Sequence, residues 1–216
     1  MSRRQSPQIS PRKLPQQARS SGLVAAILQA SIQVLAREGA QRFTVARVAE
    51  KAGVSVGSVY QYFPNKAAIL FRLQSDEWRQ TGELLRAILE DGRRPPLQRL
   101  RTLVHVFLRS ECEEALVRVA LADAAPLYRH APEAIASRAA ADRAIETFMR
   151  KALPRAIAQT RELAGELIFT TLSAVGKSFS EAPRTPAQIN RYAGALADML
   201  CAYFCALRRA GVPRRR

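Results

Sequence analysis

The segment Thr44–Lys66 reads TVARVAEKAGVSVGSVYQYFPNK and leaves the backbone few choices. Thr44 can cap a short helix whose inward residues are Val45, Val48 and Ala49. Ala52 is small enough for a second helix to approach closely, and Gly53 permits a positive φ at a sharp turn. Val54 plugs the corner, Ser55 caps the next helix, and Val59 and Phe63 face inward from it, four residues apart. This spacing predicts two short helices joined by a three-residue turn, a helix-turn-helix. Residues 56, 57, 58, 60, 61 and 62 are left facing outward. They are small or hydrogen-bonding, which suits a surface that enters a major groove.

The remainder of the chain reads as helix. Alanine and leucine are abundant, while aromatics make up 6% of the 216 residues, a bias toward an all-α fold over a sheet. Apolar content of 48% argues against disorder. No apolar run approaches the roughly 20 residues that span a bilayer. Pro7, Pro11 and Pro15 interrupt the basic N-terminus, so a cleaved signal peptide is not expected. Cys112, Cys201 and Cys205 are too few and too scattered for a disulfide framework, which fits a reducing cytoplasm.

Charge is the next constraint. The net formal charge is +16, unevenly placed: residues 1–72 carry eleven basic and two acidic side chains. A basic N-terminal unit points to a polyanion, nucleic acid first and anionic membrane second. Residues 1–20 read as a flexible arm with Arg3, Arg4, Arg12, Lys13 and Arg19 and no acid. The arm either enters an adjacent minor groove or is a solvated tail that raises non-specific affinity.

The run from Thr44 through Tyr60-Gln61-Tyr62-Phe63-Pro64-Asn65-Lys66 resembles the TetR family of bacterial transcriptional regulators, over about residues 22–72. The resemblance implies an N-terminal three-helix DNA-binding domain and a C-terminal helical domain for effector binding and dimerisation, about nine helices in all. It implies phosphate contacts at Thr44, Tyr60, Tyr62 and Lys66, with Ser55 capping the recognition helix. It implies base-edge contacts at Val56, Gly57, Ser58 and Gln61. Chemistry agrees: a hydroxyl at a helix N-terminus suits a phosphate, and a glutamine amide can bond adenine bidentately. Gly57 offers close backbone approach. Tyr60 is also readable as partly buried against the first helix, and Val56 as touching a thymine methyl or merely solvent. Ala46 stands where some members place a base-reading arginine.

The expected domains are a basic arm (1–20), the DNA-binding domain (21–68), an effector and dimerisation domain (69–210) and a basic tail (211–216). Helices are predicted at about 22–38, ended by Gly39, then from Asn65 to about 90, and at 97–112, 114–123, 133–152, 161–179 and 187–209. Thr160 is the expected cap of the eighth, and Thr185-Pro186-Ala187-Gln188 a capping box for the ninth. The last helix is apolar on more than one face, which calls for a second copy or for internal packing alone. The residues assigned to the dimer are Leu167, Leu196, Met199, Leu200, Tyr203 and Phe204. Trp78, His105, Phe107, Cys112, Tyr128 and Phe148 are candidates for lining an effector pocket, each also readable as ordinary core or surface.

No zinc spacing, catalytic triad or phosphate-cradling glycine loop is present in the sequence, so no cofactor and no enzymatic role are expected. Cys201 and Cys205 share a helix face without a third ligand at suitable spacing. The expected activity is sequence-specific binding to a palindromic operator by a cytoplasmic homodimer, released by an unknown small molecule, with no membrane partner. The alternative is a non-specific, charge-driven DNA- or membrane-surface-binding protein.

Overall fold

A computed structural model describes residues 18–124 and 132–210. Within them lie nine helices: α1 (Ala18–Arg42), α2 (Val45–Ala52), α3 (Val56–Tyr62), α4 (Lys66–Glu90), α5 (Pro96–Glu113), α6 (Ala115–Ala124), α7 (Pro132–Ala152), α8 (Ala158–Ser180) and α9 (Pro186–Ala210). The described residues contain no strand. The arm up to residue 17, Tyr128 and the tail 211–216 lie outside them.

Two compact units partition the chain. The first takes in the residues up to Arg79 together with Leu116–Arg138, and the second takes in Gln80–Ala115 and the residues from Ala139 onward. The packing division therefore does not follow the expected chain boundary after residue 68. It runs through α4, and α6 joins the N-terminal unit. Ala120 and Leu121 of α6 are buried in the same apolar cluster as Ile27, Leu35, Val48, Val59 and Ile69. Arg118 of α6 also pairs with Glu77 of α4 inside that unit.

Local chemistry sets most helix ends. Gly39 takes φ 72, which breaks the regular backbone of α1 near its end, as the sequence predicts. Gly53 takes φ 68 in the turn between α2 and α3. Asn65 Oδ1 accepts the Ala68 N–H at 2.9 Å and caps α4. Thr185 Oγ1 accepts the Gln188 N–H at 3.3 Å while Gln188 Oε1 accepts the Thr185 N–H at 2.9 Å, the reciprocal box that opens α9. Thr160 is not a cap. Helix α8 starts earlier, after Ile157 in extended conformation, so Thr160 sits inside its first turn.

In the second unit, α5 packs against α8 and α9. Leu100, Val104, Leu108, Leu153, Leu172 and Phe204 are among its buried side chains. Arg99, itself buried, donates Nη1 to the Leu89 carbonyl at 2.6 Å and lies over the Phe148 ring. Ile135 of α7, which falls in the first unit, is exposed.

By length and composition Ser20–Arg42 could cross a membrane, with a mean hydropathy of 1.2, contrary to the expectation that no such run exists. Val24, Ile27, Ala30, Val34 and Leu35 nevertheless belong to the buried core. The apolar stripe of α1 is thus accounted for by packing within the unit. All three cysteines are free. Burial raises the thiol pKa of Cys112 and of Cys201.

Candidate nucleic-acid interface

The helix-turn-helix is fixed by caps at both starts. Thr44, in extended conformation, accepts the Arg47 N–H on Oγ1 at 3.3 Å. Its hydroxyl hydrogen stays available to donate, beside the unbonded N–H groups of the first turn of α2. Ser55 Oγ accepts the Ser58 N–H at 3.0 Å and shares a 2.8 Å hydrogen bond with the Ser58 hydroxyl. The turn between the helices, residues 53–55, has the predicted three residues.

Thr44, Val56, Tyr60 and Lys66 converge on one hollow of about 460 Å³, with Phe43 and Asn65 also on its wall. Residues that carry a hydroxyl, a phenol and an ammonium thus line a common space. Tyr60 is 40% exposed, partly open and partly covered. Val56 and Gln61 are exposed, while Ser58 is partly covered; Ser55, Ser58 and Gln61 lie outside the hollow's wall. A Cβ on Gly57 would touch nothing beyond Ser55 Oγ at 3.7 Å. No internal packing demands glycine there.

Tyr62 departs from the expectation. It is only 8% exposed and does not share the outward face. Val59, Tyr62 and Phe63 stand at positions i, i+3 and i+4, one face of a helix, and all three are buried. That spacing was readable in the sequence. A further relationship was not: Glu38 of α1 forms an ion pair with Arg47 of α2. The arginine nearest the α2 N-terminus is therefore held by a carboxylate from another helix, a contact no local spacing announces.

The second unit corrects the other assignments. Leu196, Leu200 and Phe204 are buried in the subunit's own core and present no surface to a partner; Tyr203 is partly buried. Leu167 and Met199 are exposed, as are Leu163 and Tyr192. Phe107 and Phe148 are buried, and His105 and Cys112 partly so. Trp78 packs against the core of the first unit. None of these lines the cavity of about 690 Å³ that the second unit holds between α7 and α8. Ile145, Met149 and Gly165 contribute to its wall, with Arg150, Arg161 and Glu146 among its charged residues.

Residues 27–73 match the domain described as bacterial regulatory proteins, tetR family, and residues 95–207, more than half the chain, match the tetracyclin repressor-like C-terminal domain. The chain belongs to the TetR family. That family is one of bacterial regulatory proteins. It is 36% identical over 95 residues to the nucleoid occlusion factor SlmA of Vibrio campbellii, covering 43% of this chain and 48% of SlmA. It is 34% identical over 65 residues to the fatty acid metabolism regulator protein of Bacillus subtilis, covering 30% of this chain and 32% of that protein. The matched stretches thus span about half or less of these curated relatives. The fatty acid degradation regulator FadR of Bacillus halodurans has a similar fold, with a TM-score of 0.66 at 17% identity over 83% of this chain and 94% of that one.

Proposed function

We propose that this TetR-family protein is a homodimeric, cytoplasmic transcriptional repressor that reads a palindromic operator and is released from it by a small molecule. The observation that carries this reading is the convergence of Thr44, Tyr60 and Lys66 on one hollow beside the uncharged recognition helix α3. Hydroxyl and ammonium donors fit phosphates, and the small outward residues of α3 fit base edges. A helix of seven residues reaches only a few base pairs. A second copy on a two-fold axis doubles the reading, and the exposed Leu163 and Leu167 of α8 with Tyr192 and Met199 of α9 offer it apolar surface. The small molecule binds the second unit and favours a state whose two heads no longer match the operator; it must bind the two states unequally to do so. The protein acts by binding, not by catalysis.

Selection of duplexes from a random library by the full-length protein tests the proposal. The expected product is an inverted repeat, bound by a dimer about a thousandfold or more tighter than a scrambled duplex at the same salt. Equal affinities would instead describe a non-specific, charge-driven binder of DNA or of membrane surfaces.

A further inference from the structure

We propose that one end of the second unit docks on an anionic phospholipid bilayer. This surface departs from the expectation of no membrane partner, and it stands independently of the operator reading above.

The close of α4, the start of α5, the α7–α8 loop and the close of α9 meet at this end. Arg99, in the first turn of α5, donates to the Leu89 carbonyl at the close of α4 and lies over the ring of Phe148, near the close of α7. Helix α9 runs antiparallel to α5: Asn190 accepts from Arg109 at 3.5 Å, Asp198 pairs with Arg101, and Cys201 Sγ donates to the Leu97 carbonyl at 3.7 Å. The last two turns of α9 therefore reach the level where α5 begins. Leu89, Leu97, Leu153, Ala156 and Leu207, drawn from all four segments, share one apolar cluster.

Cations crowd the surface there. Arg93 and Arg94 between α4 and α5, Lys151 and Arg155 where α7 closes, and Arg208 and Arg209 in the last turn of α9 are all exposed. Carboxylates are fewer. Asp91 is shared by Arg93 at 2.8 Å and Arg94 at 3.4 Å. Glu146 lies 3.9 Å from Arg150, and Glu162 adjoins Arg161, which donates to the Ala156 carbonyl. With Glu90, eight cations stand against four carboxylates, a net +4. Arg214, Arg215 and Arg216, outside the described residues, follow Arg209 within seven positions and bring the sum to +7. The rest of the second unit holds eight cations and eight carboxylates and is neutral. The unit's excess charge is therefore gathered at, or tethered to, one end. Lys151, Arg155, Arg208 and Arg209 have no ion pair among the described residues.

An apolar tip stands among these cations. Ile157, between α7 and α8, is 64% exposed, and Pro95 and Pro154 on the two loops are exposed too. Arginine forks fit the phosphate oxygens of a lipid or of a nucleic acid alike. An isoleucine gains nothing from phosphate, whereas a bilayer offers it the acyl boundary beneath the headgroups. Loop tips and helix ends also suit a broad surface, where a DNA groove takes the side of a helix or a ribbon. Near an anionic leaflet each cation adds roughly fivefold to affinity, so charge holds the face and Ile157 seats it.

The test is co-sedimentation of the full-length protein with vesicles of equal parts phosphatidylglycerol and phosphatidylcholine, and with vesicles of phosphatidylcholine alone. Binding to the anionic vesicles only is expected, and it should weaken as salt rises. Lys151→Gln with Arg155→Gln should weaken it roughly twentyfold, and Arg208→Gln with Arg209→Gln should do the same. Ile157→Ser should weaken it roughly tenfold and leave the salt dependence unchanged. Arg37→Gln with Lys51→Gln, two exposed cations of the first unit, should change it by about twofold at most. Circular dichroism checks that each variant keeps its fold. Absence of binding to anionic vesicles, equal binding to both kinds, a first-unit pair as harmful as the two end pairs, or a harmless Ile157→Ser overturns the proposal. Binding of a selected duplex is measured on the same variants and should survive in all the end variants. Loss of the duplex with vesicle binding kept assigns this end to nucleic acid and also overturns the proposal. Failure to select any operator, with anionic vesicles still bound through this end, defeats the operator reading alone.

Discussion

Arg118 of α6 places Nη1 2.9 Å from Oε1 of Glu77 on α4, with the two side chains 19% and 15% exposed. Gln74 Nε2 donates to the other Glu77 oxygen at 2.9 Å, so both carboxylate oxygens have partners. The pair ties a helix from the middle of the chain to the unit that holds the helix-turn-helix. Removing the guanidinium takes this ion pair from a largely covered Glu77. Arg118→Met should therefore lower stability by about 1–3 kcal/mol, between the values for exposed and buried pairs. Glu77→Gln should cost less, because its amide keeps an acceptor for Gln74. Urea unfolding followed by circular dichroism checks the order of the two variants.

The ion pair of Glu38 with Arg47 holds a cation beside the N-terminus of α2. Glu38→Gln removes an anion from the DNA-facing region and frees the guanidinium for a phosphate. Affinity for all duplexes should rise, and the slope of log K against log salt should steepen by about one contact. An unchanged slope means that Arg47 does not reach the backbone.

Lys66 is exposed at the first position of α4 and shares the hollow with Thr44 and Tyr60. Lys66→Ala should weaken binding to every sequence and flatten the salt slope by about one contact. Gln61→Ala should behave differently, relaxing preference at one operator position at a cost of about 1–3 kcal/mol if the amide is bidentate. Titrations across operator variants at two salt concentrations separate the two effects. An unaltered ranking of variants would remove Gln61 from base reading.

Gly176 of α8 faces α5 so closely that a Cβ would lie 2.9 Å from both Glu111 Cγ and Phe107 Cε1. Both neighbours are buried, so neither swings aside freely. Gly176→Ala should cost about 1–3 kcal/mol through overpacking, although alanine is the better helix former. Gly53→Ala should cost about 1–2 kcal/mol for another reason. Its surroundings are open, and the penalty comes from φ 68 alone. Thermal unfolding of the two variants measures both.

What the sequence discloses here is what depends on neighbours within one turn. The caps at Thr44, Ser55, Asn65 and Thr185 all act three residues ahead, and each is found where spacing puts it. Tyr62 was misplaced because its aromatic hydroxyl suggested a surface, while its position three after Val59 dictated burial. The dimer surface was overread for a similar reason. Leu196, Leu200 and Phe204 share an apolar stripe, but periodicity cannot distinguish the subunit's own core from a partner. The α7–α8 hollow is less legible still. It exists because Gly165 brings two helices together, and its lining is mostly charged residues that read as ordinary solvated faces.

The recognition helix VGSVYQY contains no charged side chain, and Val56, Gly57 and Gln61 lie outside the core. Such positions are free to drift. On the proposed reading, duplicated copies of the gene would acquire new target sites by changes at 56 and 61 without disturbing the fold. Grip on the double helix, on the same reading, would come from flanking donors such as Lys66 and would pass unaltered from one descendant to the next.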